Sequence, residues 1–148
     1  MGADIRFKDG ITTNLEYRKS RALSLSLLNS QLAQENEDDI VIGFGYKAKN
    51  FRFPFGMFQS VLLKNDLTFN LTFALRNDKT FIYQPDLAAA QISSGAENIT
   101  YHPSIDYALN SRFDMSLFYD SNITRPYTSQ SFNTSFSTMG INLKLLLQ

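Results

Sequence analysis

Apolar and polar residues alternate with a period of two over most of the chain, and a 3.6-residue period is nearly absent. A short stretch at Ile5 and Phe7 ends in the tight-turn dipeptide Asp9-Gly10. A long second stretch, Ile11 to Asn29, sets Leu15, Tyr17, Leu23, Leu25 and Leu27 against Ser24 and Ser26. The charged run from Gln34 to Asp39 reads as a loop. It is followed by Ile40, Ile42, Phe44 and Tyr46 alternating with Val41, Gly43, Gly45 and Lys47. Pro54 and Gly56 punctuate the next connection. The cleanest alternation sets Leu67, Phe69, Leu71, Phe73 and Leu75 against Thr68, Asn70, Thr72, Ala74 and Arg76.

A loop is predicted over 85–97; it includes the only helix-like stretch, Leu87 to Gln91, which lies between Pro85 and Gly95. Ile99, Tyr101, Ile105, Tyr107 and Leu109 then alternate with Thr100, His102, Ser104 and Asp106. After the turn Asn110-Ser111-Arg112, the residues Phe113, Met115, Leu117 and Tyr119 alternate with Asp114, Ser116 and Asp120, and Phe118 interrupts the polar side. A polar loop over 122–131 precedes the last strand, where Met139, Ile141, Leu143, Leu145 and Leu147 oppose Thr138, Gly140, Asn142 and Lys144. The expectation is an all-β chain of about seven up-and-down antiparallel strands, with short turns at one end and longer polar loops at the other.

Alternation alone does not say which side is wet. A soluble sandwich or lipocalin points its apolar side inward, whereas an outer-membrane barrel points it at lipid. The asymmetry of the loops, the small neutral polar side, and the tyrosines 46, 107 and 119 placed near strand ends favour the barrel. On that reading Ser24, Ser26, Gly43, Gly45, Thr68, Asn70, Thr72, Thr100, His102, Ser104 and Asn142 face the lumen. Leu23, Leu25, Leu27, Ile42, Phe44, Leu67, Phe69, Leu71, Phe73, Met115, Leu117, Ile141, Leu143 and Leu145 face lipid. Lys19 and Arg21 share the lipid-facing parity, and a charge at mid-bilayer costs about 2–4 kcal/mol. Pairing Leu27 with Ile42, Leu25 with Phe44 and Leu23 with Tyr46 puts the crossing over 22–30 and moves Lys19 and Arg21 to the periplasmic rim, beside Lys47 and Lys49. A bulge near Ser20 is the alternative.

Composition narrows the chemistry. The 148 residues carry 14 basic and 14 acidic side chains, and this zero net charge argues against a nucleic-acid partner. The absence of cysteine excludes disulfides, thiolate nucleophiles and Cys-based zinc sites. Thirteen Phe and seven Tyr among many Ser, Thr and Asn residues suit a β-wall, and no apolar run is long enough for a membrane helix. The N-terminus has neither the pattern of a signal peptide nor, with Arg6 in the motif's last position, that of myristoylation, so a signal is expected upstream or already removed. His102, Ser104 and Asp106 line one side of one strand, but strand neighbours two apart sit roughly 7 Å from each other, too far for a nucleophile–base pair. The carboxylates of Glu35, Glu37, Asp38 and Asp39 invite calcium, against the plainer reading of a solvated loop tip. Sequons at Asn70, Asn98 and Asn122 match a motif that is common in any strand rich in Asn and Thr. The expectation is no catalytic residue, no metal and no cofactor.

Three segments, Leu15 to Leu27, Ile42 to Lys47 and Leu117 to Tyr127, resemble in order and spacing the C-terminal part of the SprA (Sov) family, the giant outer-membrane proteins of Bacteroidota. The resemblance runs from about residue 5 to the end. It implies a wall segment of the type 9 secretion translocon, a very large barrel that exports folded proteins and is tied to gliding motility. The implied partners are outer-membrane lipid, the rest of the same barrel, a PorV-type barrel, plug and periplasmic subunits, and secreted cargo. Such chains often end in an aromatic residue, and Leu147-Gln148 departs from that pattern. A free-standing barrel of about eight strands (porin, adhesin or barrel enzyme) is the alternative, and a soluble lipocalin-like binder the third reading.

Overall fold

The alternation becomes one sheet. The computed structural model describes residues 1–28, 30–52, 62–63, 65–84, 90–110, 112–128 and 131–145. Its strands are β1 (Gly2–Arg6), β2 (Ile11–Ser26), β3 (Gln31–Ala48), β4 (Phe51–Arg52), β5 (Leu62–Leu63), β6 (Leu67–Tyr83), β7 (Gln91–Asn110), β8 (Phe113–Pro126) and β9 (Thr134–Leu145). Seven of them form a single antiparallel sheet in the order β1-β2-β3-β6-β7-β8-β9, and β4 and β5 make a separate two-stranded ribbon. The predicted up-and-down order is thus observed. The sheet is open, with β1 and β9 at its two edges.

Several strands run longer than their apolar stretches suggest. The predicted charged loop at 34–39 is strand, part of β3, and Ser26 pairs with Gln31 across a short hairpin in which Ser30 has φ 52°. Opposite charges explain it. Arg18 faces Asp39, Lys19 faces Asp38 and Ser20 faces Glu37, so residues that read as solvated in sequence find partners one strand away. The loop expected at 85–97 gives way to β7 from Gln91 onward, and β8 continues to Pro126 inside the loop expected at 122–131. Residues 85–89, Pro54, Gly56 and Ser111 lie outside the described residues.

This register corrects the predicted pairing of β2. Ile42 pairs with Leu15, Phe44 with Thr13 and Tyr46 with Ile11, where Leu27, Leu25 and Leu23 were expected. The displacement is an even number of residues, so every side chain keeps its predicted face while its height changes. The predicted asymmetry of the loops also fails. One end carries the short turns after β1 and β7 but also the long connection 49–66; the other carries 27–30, 84–90 and 127–133.

The sheet has no conventional core. Among the described residues no large side chain is fully buried, and Ala48 is the single buried apolar residue. Central residues of the apolar face, such as Ile105 and Leu117, are each 40% exposed, whereas Met139 (75%) and Ile141 (64%) on the edge strand β9 are barer still. Each half-covered Leu, Ile or Phe forgoes about half of the roughly 1.5–3 kcal/mol that full burial yields.

The β1–β2 turn depends on Gly10, which has φ 78° and whose carbonyl accepts a hydrogen bond from Lys47 N–H at 2.9 Å. A Cβ there would stand 2.4 Å from the Lys47 carbonyl oxygen. Gly10→Ala is expected to destabilise the sheet by about 1–3 kcal/mol, read as a lower denaturant midpoint with an unchanged m-value.

Candidate functional site

The functional features of this chain are the two faces of its sheet. On one face the register aligns apolar rows across the strands. Ile11, Tyr46, Phe69, Ile105, Leu117 and Ile141 form one row, and Tyr17, Ile40, Leu75, Ile99 and Ile123 form another three rows away. Between them lie Leu15, Ile42, Phe73 and Tyr101, and Phe44, Leu71, Pro103, Tyr119 and Met139. Aromatic rings tie neighbouring strands together: Phe44 meets Phe69 edge-on at 6.3 Å, and Tyr101 lies 5.6 Å from Tyr119. The polar residues on this face satisfy one another, with Tyr119 OH donating to Ser137 Oγ at 3.1 Å and Ser137 Oγ to Ser121 Oγ at 3.3 Å. Tyr46 and Tyr107 lie near strand ends as expected, whereas Tyr119 sits in mid-strand opposite Met139.

The residues predicted to face lipid, apart from Leu27, have this parity, but not all share the band. Ile42, Phe44, Leu67, Phe69, Leu71, Phe73, Met115, Leu117, Ile141, Leu143 and Leu145 belong to it. Leu23 and Leu25 lie beyond it, pairing with Gln34 and Leu32 past the rows of Lys19 and Arg21, and Leu27 lies in the hairpin turn. The apolar band therefore meets the lower half of β2 and not the residues 22–30 over which a crossing was expected, and the β2–β3 pairing is continuous, with no bulge, near Ser20. The leucines misled because local hydrophobicity carries no information about strand register.

The opposite face is polar. Gly43, Thr72 and His102 fall in one row, Gly45, Asn70 and Ser104 in the next, and Thr68 and Asn142 in the row below; Thr100 lies above. Ser24 and Ser26 share the face but lie high on β2, opposite Ala33 and Gln31. Asn70 donates to Asp106 at 3.1 Å, and Thr124 donates to Asn98 at 2.8 Å. Gly43 leaves room for the Asn14 side chain, whose Oδ1 would lie 1.7 Å from an added Cβ. Phe118, the interruption in the polar pattern, lays its ring over Gly140 and stacks 6.3 Å from His102.

The candidate chemistry is redistributed. The His102 ring pairs through Nδ1 with Asp120 Oδ1 on β8. Asp106 is engaged by Asn70, so His102 and Asp106, two of the three residues considered together on that strand, are drawn to different partners. Sequence reasoning missed Asp120 because only strand pairing brings it level with His102. The acidic run likewise splits between the two faces. Asp39 is nearly buried between Arg18 at 2.5 Å and Arg76 at 3.6 Å, Glu37 accepts from Ser20 at 3.2 Å and meets Arg76 at 3.3 Å, and Asp38 meets Lys19 at 3.4 Å. Such pairing leaves no acidic loop for calcium, and no group of three or more metal-ligating side chains occurs among the described residues.

No protein-family model matches the chain, and a search of curated proteins finds no relative.

Just before β6, the Lys47 ammonium lies 2.7 Å from Asp66 and, by hydrogen bonding first and by charge second, holds its carboxyl below the usual carboxylate range. A depressed folded-state pKa contributes stability that is present above the unfolded value of about 3.9 and is lost as pH falls through the folded value. The unfolding midpoint should therefore drop as pH is lowered below about 4, and Asp66→Asn should show a shallower acid dependence in the same titration.

Proposed function

We propose that this chain is a structural wall segment of an outer-membrane β-barrel, with its apolar face against lipid and its polar face toward a water-filled lumen. The observation that carries the reading is the uncharged apolar band. Between the row of Ile11 and the row of Tyr17, no Asp, Glu, Lys or Arg lies on that face of the seven-stranded sheet. The band spans Leu67 to Leu75 on β6 and Phe113 to Ile123 on β8, which matches the about 9–11 residues a tilted membrane strand needs. A soluble protein would cover such a face with a second layer, and among the described residues no such layer is present.

Strand parity favours a segment over a small closed barrel. β1 and β9 are the first and last of an odd antiparallel series and so run in the same direction. Bacterial single-chain barrels close with an even number of antiparallel strands. These seven thus make an arc whose edges await other strands.

The finer reading, a C-terminal segment of the type 9 secretion translocon, rests on the resemblance of Leu15 to Leu27, Ile42 to Lys47 and Leu117 to Tyr127 to the SprA family. In that role the small, mostly neutral polar side chains line a wet passage for exported proteins. The rest of the barrel, a PorV-type barrel, plug and periplasmic subunits, and cargo are the proposed partners.

The chain has no tryptophan, so single-tryptophan probes report cleanly. With the chain in vesicles containing brominated acyl chains, Leu117→Trp should be strongly quenched and Ser116→Trp, one residue away on the other face, should not. Equal quenching, or tryptophans protected in a detergent-free monomer, would sink the barrel reading. An open reading frame continuing far upstream into further alternating strands supports the translocon reading. A signal peptide immediately before Met1 would favour the small barrel.

A further inference from the structure

Charge on the apolar face is concentrated at one rim. Immediately past the row of Tyr17, the register aligns Lys19, Asp38, Asn77, Glu97 and Arg125, and the next row holds Arg21, Asn36, Lys79 and Gly95. At the opposite rim the rows of Leu67, Tyr107, Met115 and Leu143, and of Phe113 and Leu145, carry no charge. Four cations therefore stand with two carboxylates in a belt along one margin of the band.

Pairing within the belt leaves a surplus of positive charge. Lys19 meets Asp38 at 3.4 Å, and Arg125 meets Glu97 at 3.3 Å. The other two cations have neutral partners: Arg21 donates to Gln34 at 2.7 Å, and the Lys79 ammonium lies 4.4 Å from the centroid of the Tyr127 ring. Arg21 and Lys79 share one row, two strands apart, which separates their backbones by roughly 10 Å. Asn36 and Gly95, which flank Lys79 in that row, place neither an acid nor bulk beside it. An anionic group approaching from the band's margin meets two cations whose close partners are neutral, although the charge of Lys79 is also felt by Asp38 one row away.

The position of the belt selects the anion. β2, β3, β6 and β7 all continue past it to their hairpins, so this is the end at which the sheet projects beyond the band. Outer-membrane barrels extend further on the extracellular side than on the periplasmic side, and here it is the strands that extend, the long connection 49–66 lying at the opposite rim; phosphate-bearing headgroups lie at the edge of the hydrocarbon. Resting on the barrel reading above, we infer that Arg21 and Lys79, with Lys19 and Arg125 beside them, form a binding belt for the phosphates of outer-leaflet glycolipid. The belt would fix the depth of the wall in the membrane and hold lipid against it.

The test is flotation of the full chain with vesicles of phosphatidylethanolamine alone, or supplemented with lipid A bearing its phosphates or stripped of them. Phosphorylated lipid A should raise the bound fraction, and Arg21→Gln with Lys79→Gln should lower that partitioning about tenfold. Lys8→Gln with Lys49→Gln, at the far end of the sheet, should leave it unchanged. The belt variant's far-UV circular dichroism in neutral vesicles should match the parent, which separates lost binding from lost folding; a changed spectrum moves the comparison to the unsubstituted chain with the two lipid A forms. Equal flotation with all three vesicles overturns the belt and leaves the barrel reading standing. Failure to float with any vesicle overturns both. Competition by low concentrations of inorganic phosphate would point to a free-anion site and overturn the lipid assignment.

Discussion

An antiparallel sheet one layer thick must find cover for whichever face is apolar, and partners for whichever edges are open. Seven strands here share one face of Leu, Ile, Phe and Tyr and one face of Ser, Thr, Asn and Gly, and among the described residues no second layer covers either, although Phe51 of β4 lines an apolar pocket with Tyr46, Leu67, Phe69 and Ile105. Hydrogen bonding along the ladders satisfies the backbone inside the sheet but does nothing for the exposed apolar surface. On the proposed reading, lipid on one side and water on the other would resolve that surface without a second layer. The ring pairs Phe44–Phe69 and Tyr101–Tyr119, and the hydroxyl chain through Ser137, tie the strands together within the face that must be covered.

Charge placement follows the same logic. Acids and bases that are adjacent in sequence are dispersed by strand parity and gathered again by pairing. Arg18, Asp39, Arg76 and Glu37 form a cluster on the polar face, and Lys19 with Asp38 and Arg125 with Glu97 form pairs on the other. Exposed pairs of this kind contribute little to stability. Their value is in specifying register, because sliding β2 along β3 would part Arg18 from Asp39 and Lys19 from Asp38. Hairpin geometry at 27–30 and these pairs act together, against a set of leucines on β2 that would fit an alternative alignment equally well.

Edges separate an arc from a closed unit. β9 exposes one full side of its backbone, and the upper half of β2 is uncovered beyond the short β1. Such edges template further pairing. In a barrel they are joined to neighbouring strands; among the described residues the odd count sets β1 and β9 in the same direction, so these two edges are not antiparallel to each other.

What the sequence determined by itself was parity. Period-two alternation assigned Phe73 and Thr72, Leu117 and Ser116, and Leu143 and Asn142 to opposite faces, and pairing across the sheet preserves those assignments. It also supplied the antiparallel order, because every connection between sheet strands but 49–66 is too short for a crossover. Tertiary structure alone decided register. It moved the apolar band's share of β2 from its leucines to Ile11–Tyr17, turned a charged loop into the upper part of β3, and brought Asp120 to His102. The physical reason is one of range. Which way a side chain points follows from its own backbone, whereas how far one strand slides along another depends on turns and on charges distant in sequence.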